Sequence, residues 1–191
     1  MKAAEPISPL PPGSHIWPLT VAAYRVLGEA GQISNRTELI NGVVYQKMSK
    51  SPLHSFLVMR LLRLMQSALP AGCVLRSKQP ITCDDLSEPE PDVAIVRGDD
   101  NDFFHAHPTS AELVIEVCVT SHDYDRSKLA AYAAAGVKEV WLVLGPERQI
   151  EVYGAPERGK YGQHSLQGPG GKMSSTVLPG FSVDLSALFD H

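Results

Sequence analysis

Glu38, Asp92, Glu116 and Lys128 are the residues of this 191-residue chain whose types could do chemistry together. Hydrolysing a phosphodiester calls for a divalent cation to offset the phosphate charge and for a water made nucleophilic. Magnesium prefers oxygen ligands, so an aspartate, a glutamate and a main-chain carbonyl suit it. A lysine beside the water can stabilise developing charge or help to orient the attack. Each residue also has an ordinary reading. Asp92 follows a proline and could cap a turn. Glu116 could face solvent from a half-exposed strand, Glu38 could be a solvated strand residue, and helix lysines such as Lys128 are usually solvated.

These side chains matter only if the surrounding elements bring them together. Glu116 lies in the run Leu113 to Val119, which is rich in valine and reads as a strand buried on both faces. A buried carboxylate is costly unless a cation or several donors meet it. The candidates are a metal ion and Lys128, on an alanine-rich helix over about 125–135 that Gly136 ends. Strand, helix and a further strand at 140–144 make a right-handed parallel crossover. Asp92 opens a strand over 93–96 behind Glu88-Pro89-Glu90-Pro91, where proline owes no ladder hydrogen bond. Glu38 sits on the first arm of a hairpin turning at Asn41-Gly42, a strong two-residue turn signal. A helix capped by Thr20 precedes the hairpin, and Ser51-Pro52 starts a second helix with an apolar stripe through Leu57, Leu61, Leu64 and Met65. Strands are expected near 73–76, 79–83, 149–154, 160–165 and 173–178, with a last helix capped by Asp184. Residues 1–18, with five prolines, read as an extended arm, and 19–191 as a single domain.

Composition bounds the rest. Hydrophobic residues make up 43% and charged residues 20%, which suits a globular domain. The net charge of −4 does not advertise a nucleic-acid binder, but an acidic metal cluster can mask a basic strip elsewhere. Three cysteines without a CxxC pair argue against a disulfide framework. No apolar run reaches the roughly 20 residues of a membrane helix, and no signal-peptide order opens the chain. A cytoplasmic protein is expected. No GxSxG elbow accompanies Ser121-His122, and no Walker or GxGxxG loop is present.

The motif blocks resemble a known family. They are Glu38 to Val44, Met48-Ser49 with His54 behind, Glu88 to Val96, Leu113 to Val117, Asp125 to Leu129, Tyr132 to Val143 and Leu178 to Phe181. In that order they are similar to the bacterial Uma family of restriction endonucleases, a branch of the PD-(D/E)xK nucleases. The resemblance implies a restriction-endonuclease-like α/β fold: a mixed central β-sheet flanked by helices, with an added N-terminal helix and hairpin. It implies a metal-dependent endonuclease acting on DNA, with Mg2+ or Mn2+ held by Asp92, Glu116 and the main-chain carbonyl of Val117. Glu38 would be the extra N-terminal acid of the site. One departure matters: the lysine expected two residues after the acid is replaced by Cys118, and the family takes its lysine from the following helix, which points to Lys128. A homodimer is implied by the resemblance alone, since duplex cutting usually takes two subunits. Alanine at Asp92, Glu116 or Lys128 is expected to abolish cleavage without unfolding the protein. The alternative is a nuclease-fold module with little or no catalysis that binds nucleic acid or a protein partner.

Overall fold

The computed structural model describes residues 12–190. Most of the proline-rich arm inferred for residues 1–18 lies outside that range. Its last residues join the domain where Leu19 N–H donates to Gly42 O at 2.9 Å.

Six strands form the central sheet: β3 (Cys73–Arg76), β4 (Val93–Arg97), β5 (Leu113–Cys118), β6 (Glu139–Leu144), β7 (Gln149–Glu157) and β8 (Lys160–Gln167), in that spatial order. Only β5 and β6 run parallel, so the sheet is mixed, as expected. Their crossover is α3 (His122–Ser127) and α4 (Leu129–Ala134). Successive strand residues face opposite sides. Leu113, Ile115 and Val117 therefore pack with Leu57, Leu61 and Met65 of α2 (Pro52–Ser67). Val114 and Cys118 pack on the other side with Tyr132 of α4, and Glu116 shares their face. All six residues of β5 are buried, which answers the question of its exposure.

A separate hairpin, β1 (Thr37–Ile40) and β2 (Val43–Gln46), turns at Asn41 (φ 50°) and Gly42 (φ 75°), the left-handed pair that a tight two-residue turn needs. It is strapped to the segment before β4. Glu88 N–H donates to Leu39 O at 2.7 Å, Gly42 N–H to Leu86 O at 2.7 Å, and Asn41 N–H to Ser87 Oγ at 3.1 Å. A Cβ on Gly42 would lie 2.4 Å from Pro18 Cβ. Gly42→Ala therefore both strains the turn and pushes the preceding chain away. It is expected to destabilise by more than about 1 kcal/mol, read as a lower denaturant midpoint at unchanged slope. The N-terminal helix α1 (Val21–Glu29) is capped by Thr20, whose side chain accepts from Ala23 N–H at 3.2 Å. Arg25 anchors it through an ion pair to Glu88.

At the C-terminal end, β9 (Lys172–Ser174) pairs with β10 (Ser182–Asp184), and α5 (Leu185–Phe189) starts at the Asp184 cap. Trp141 stacks on Phe181 at 5.8 Å between ring centroids. Its Nε1 donates to the buried Glu139 carboxylate at 2.7 Å, and Thr176 N–H donates to the same group at 2.8 Å. Glu139 is a buried acid met entirely by neutral donors.

Four expectations need correction. The strand expected near 173–178 ends at Ser174, because the Val177 and Leu178 N–H groups donate to Ser175 Oγ in a turn. The stretch 79–83 is not a strand. Pro80 has no N–H to give, Ile81 and Cys83 donate to Pro89 and Ser87 on one side and Thr82 to Pro108 on the other, and only an isolated bridge, Asp84 to Ser87, follows. The helix expected over 125–135 begins at His122 and is interrupted at Lys128, whose N–H bonds to Asp125 O, three residues back. Ser127 Oγ also donates to Tyr124 O at 2.6 Å, a competing local bond. Strands β7 and β8 run past 154 and 165 because Arg158 (φ 49°) and Gly159 (φ 74°) close them with a second tight turn.

Candidate active site

β4 pairs with β5 only as far as Val93 opposite Ile115, so β5 overruns its neighbour by Glu116, Val117 and Cys118. Asp92 fills that gap. Its Oδ2 accepts the Val117 N–H at 2.9 Å, so the side chain takes the place of the missing ladder acceptor. The N–H and C=O of one strand residue leave on the same side, so the Val117 carbonyl is also directed past the start of β4. Ser77 Oγ donates to Asp92 O at 2.9 Å and fixes the backbone there.

Two further groups hold the Asp92 carboxylate: Lys50 Nζ at 3.1 Å from Oδ1 and His54 Nε2 at 2.9 Å from Oδ2. His54 stands in the first turn of α2, whose Ser51 cap accepts its N–H at 3.1 Å. Burial pushes the Asp92 carboxyl up. The His54 hydrogen bond, the Lys50 charge and the Val117 N–H outweigh it and hold the group at about 2. Asp92 is thus ionised and can only accept, so Nε2 is the donor.

Glu116 is treated differently. It accepts from Tyr132 OH at 2.7 Å and from Lys128 Nζ at 3.2 Å. Burial raises its carboxyl to about 8 against the pull of Lys128, with Asp125, Asp92 and Glu38 adding to the rise. Lys128 meets three carboxylates at once: Glu38 at 3.1 Å, Glu116 at 3.2 Å and Asp125 at 3.4 Å. Burial alone would lower its ammonium; those acids hold it well above its ordinary value, so it is a fixed cation. Its Nζ also lies 4.8 Å from the centre of the Tyr124 ring. Tyr124 OH donates to Glu38 Oε1 at 2.7 Å, and Glu90 N–H to Glu38 Oε2 at 2.9 Å. The hairpin and the Glu88–Asp92 segment are therefore stitched together through Glu38 itself.

All four sequence-inferred side chains are buried and line one cavity of about 70 Å³, together with Val117. Sequence reasoning missed Asp125, whose Oδ2 accepts from Ser121 Oγ at 2.8 Å. Its position three residues before Lys128 on the same helical run was the available signal. It also left His54 and Tyr132 open and did not name Lys50 or Tyr124.

Carboxylate and main-chain oxygens are the ligand types a hard divalent cation takes. Five carboxylates, Glu38, Glu90, Asp92, Glu116 and Asp125, line this space with three ammonium groups, Lys47, Lys50 and Lys128, and burial, helped by the neighbouring acids, raises the Glu116 carboxyl. Among the described residues no three His, Cys, Asp or Glu side chains stand in a metal-holding group. A site here therefore depends on two carboxylates completed by a main-chain carbonyl and water, and on Lys50 yielding Asp92 Oδ1.

A family model, Uma2, described as "Putative restriction endonuclease", matches residues 29–186. No curated protein matches the chain. Among solved structures, a "putative nuclease belonging to DUF820" from Anabaena variabilis ATCC 29413 superposes with a TM-score of 0.69 at 15% identity, covering 85% of this chain and 96% of that one. At that identity the likeness concerns the fold, and it is the mixed, helix-flanked sheet that the motif blocks implied.

Proposed function

The chain belongs to the Uma2 family, and from that premise we propose that it is a metal-dependent endonuclease hydrolysing phosphodiester bonds in DNA. The observation that carries this reading is the meeting of Glu38, Asp92, Glu116 and Lys128, from a hairpin, a strand entrance, a strand and a helix junction, in one cavity. Glu139 serves as the contrast: equally buried, it needs no cation, because Trp141 and Thr176 satisfy it.

Asp92, Glu116 and the Val117 carbonyl are the groups that would hold Mg2+ or Mn2+. Such an ion supplies the Lewis acidity that offsets charge on the phosphate and favours ionisation of the attacking water. The chain's own residues do the rest. His54 and the Val117 N–H fix the Asp92 carboxylate in orientation. Glu38, with Asp125, keeps Lys128 protonated and in place. A permanently charged Lys128 is no proton acceptor; it orients water and stabilises negative charge as it develops on the phosphoryl oxygens. A homodimer, with one such site per copy, would serve the cutting of two strands.

The deciding experiment is a calorimetric titration of Mg2+ and Mn2+ into the wild-type protein and Asp92→Ala, paired with a cleavage assay on plasmid DNA. The nuclease reading expects one saturable site lost with Asp92, and nicking or cutting lost with it. A second reading has a specific observation in its favour: Lys50 and Lys128 neutralise much of the acid cluster. A binding module without catalysis expects no Asp92-dependent heat and no cleavage in either protein.

A further inference from the structure

The cavity of about 70 Å³ has room for an ion and a few waters, not for a nucleotide. Any polynucleotide must approach from the surface, towards a pocket whose carboxylates repel phosphate. A second depression, of about 200 Å³, adjoins the first and shares Lys47, Met48, Lys50 and Glu90 with it. Its charge is of opposite sign. Arg36, Lys47, Lys50 and Lys78 line it against the single acid Glu90. Four cations gather here in a chain whose net charge is −4.

The partners of these cations differ in a telling way. Lys47 pairs with Glu90 at 2.5 Å, and Lys50 with Asp92 at 3.1 Å. The side chains of Arg36 and Lys78 meet no carboxylate among the described residues, and both residues are exposed. Lys78 also sits at φ 52°, in the left-handed region where glycine or asparagine would be less strained. Non-glycine residues kept in such conformations cluster where the side chain serves a function.

We infer that the Arg36–Lys47–Lys50–Lys78 groove is the track on which the phosphate backbone of a nucleic-acid strand lies as it enters the site, an inference that rests on the nuclease reading. Lys50 is the hinge between the two depressions. It releases Asp92 for a phosphate as the strand arrives, which frees Oδ1 at the same moment. Arg36 and Lys78 hold phosphates further from the scissile one and carry no sequence information.

The test is fluorescence anisotropy with a labelled oligonucleotide, as duplex and as single strand, over a range of salt, with Ca2+ and again with EDTA. The proteins are the wild type, Arg36→Glu, Lys78→Gly and, on the strand at the opposite edge of the sheet, Lys160→Glu. Lys78→Gly relieves backbone strain, so it should fold at least as well as the wild type by thermal melting. The groove predicts that Arg36→Glu weakens binding by about tenfold or more at low salt. It predicts that each groove variant flattens the slope of log affinity against log salt by about 0.7 to 0.9, the loss of one phosphate contact. Lys160→Glu should keep the wild-type slope. Wild-type binding that Arg36→Glu and Lys78→Gly leave unchanged overturns the groove and leaves the nuclease reading standing. A wild type that binds neither oligonucleotide in either condition overturns both.

Discussion

Lys128→Met is expected to cost the fold roughly 3–5 kcal/mol, the usual penalty for removing one partner from a buried ionic cluster. The side chain is 4% exposed and stands between Glu38, Glu116 and Asp125. Methionine fills much of the same volume, so the loss is electrostatic rather than a cavity. Against a typical domain stability of about 5–15 kcal/mol this is a large fraction. For a chain of this size it corresponds to a fall in melting temperature of roughly 6–20 °C. Double substitution tests the cause: adding Glu38→Gln should recover part of the loss, because one stranded charge is gone. A single variant that melts with the wild type would mean that the three acids do not depend on the ammonium. The same burial revises the expectation that Lys128→Ala removes cleavage and nothing else. Lost activity at this position reports on catalysis only when the variant is first shown to be folded at the assay temperature.

Glu116→Gln is expected to abolish cleavage while making the metal-free protein less sensitive to alkali. The wild-type carboxyl has an ordinary value of 4.5 and is raised to about 8 in the fold. Between those values the folded chain keeps a proton that the unfolded chain has released, so stability falls as pH rises. The favourable contribution is complete below pH 4.5 and lost once pH has passed about 8. The total is on the order of a few kcal/mol, since each tenfold difference in proton affinity between the folded and unfolded chain is worth about 1.4 kcal/mol. Glutamine cannot ionise, so its difference from the wild type should be small at about pH 5 and in favour of the variant at about pH 9. Scanning calorimetry in EDTA across that range checks it. Equal slopes for the two proteins would remove Glu116 as the origin of the pH dependence.

How much of this was legible from residues alone depends on whether the signal was local. The Asn41-Gly42 turn carries its own geometry, and the apolar run around Glu116 announces a strand covered on both sides. The hairpin and β5 therefore stand where the sequence placed them. The stretch 79–83 failed because its residue pattern says nothing of where the N–H partners lie, and these are divided between the 87–89 segment and Pro108. Within the site, Asp125 was within reach of helix spacing from Lys128, whereas Lys50 and His54 were not: each meets Asp92 across about forty residues of chain. The assignment of Lys128 rested on the motif blocks, since a separation of twelve residues across a strand end has no rule of its own. The interruption of the helix at that residue follows from backbone bonding that no pattern of side chains displays.

The hairpin that carries Glu38 has a consequence of its own. It forms a two-stranded sheet of its own, joined by hydrogen bonds at Leu39, Asn41 and Gly42 to the segment before β4 and at Gly42 to Leu19, with the Glu38 side chain as its tie to Tyr124 and Lys128. Such a unit can detach as one cooperative piece at lower free energy than global melting requires. Detachment would carry away one of the three acids around Lys128 and open a seam to water, with β3 to β8 still assembled. Under mild denaturant the molecule would then be disarmed before it is unfolded, and amide exchange at Leu39 to Val43 would run ahead of exchange in β5 and β6.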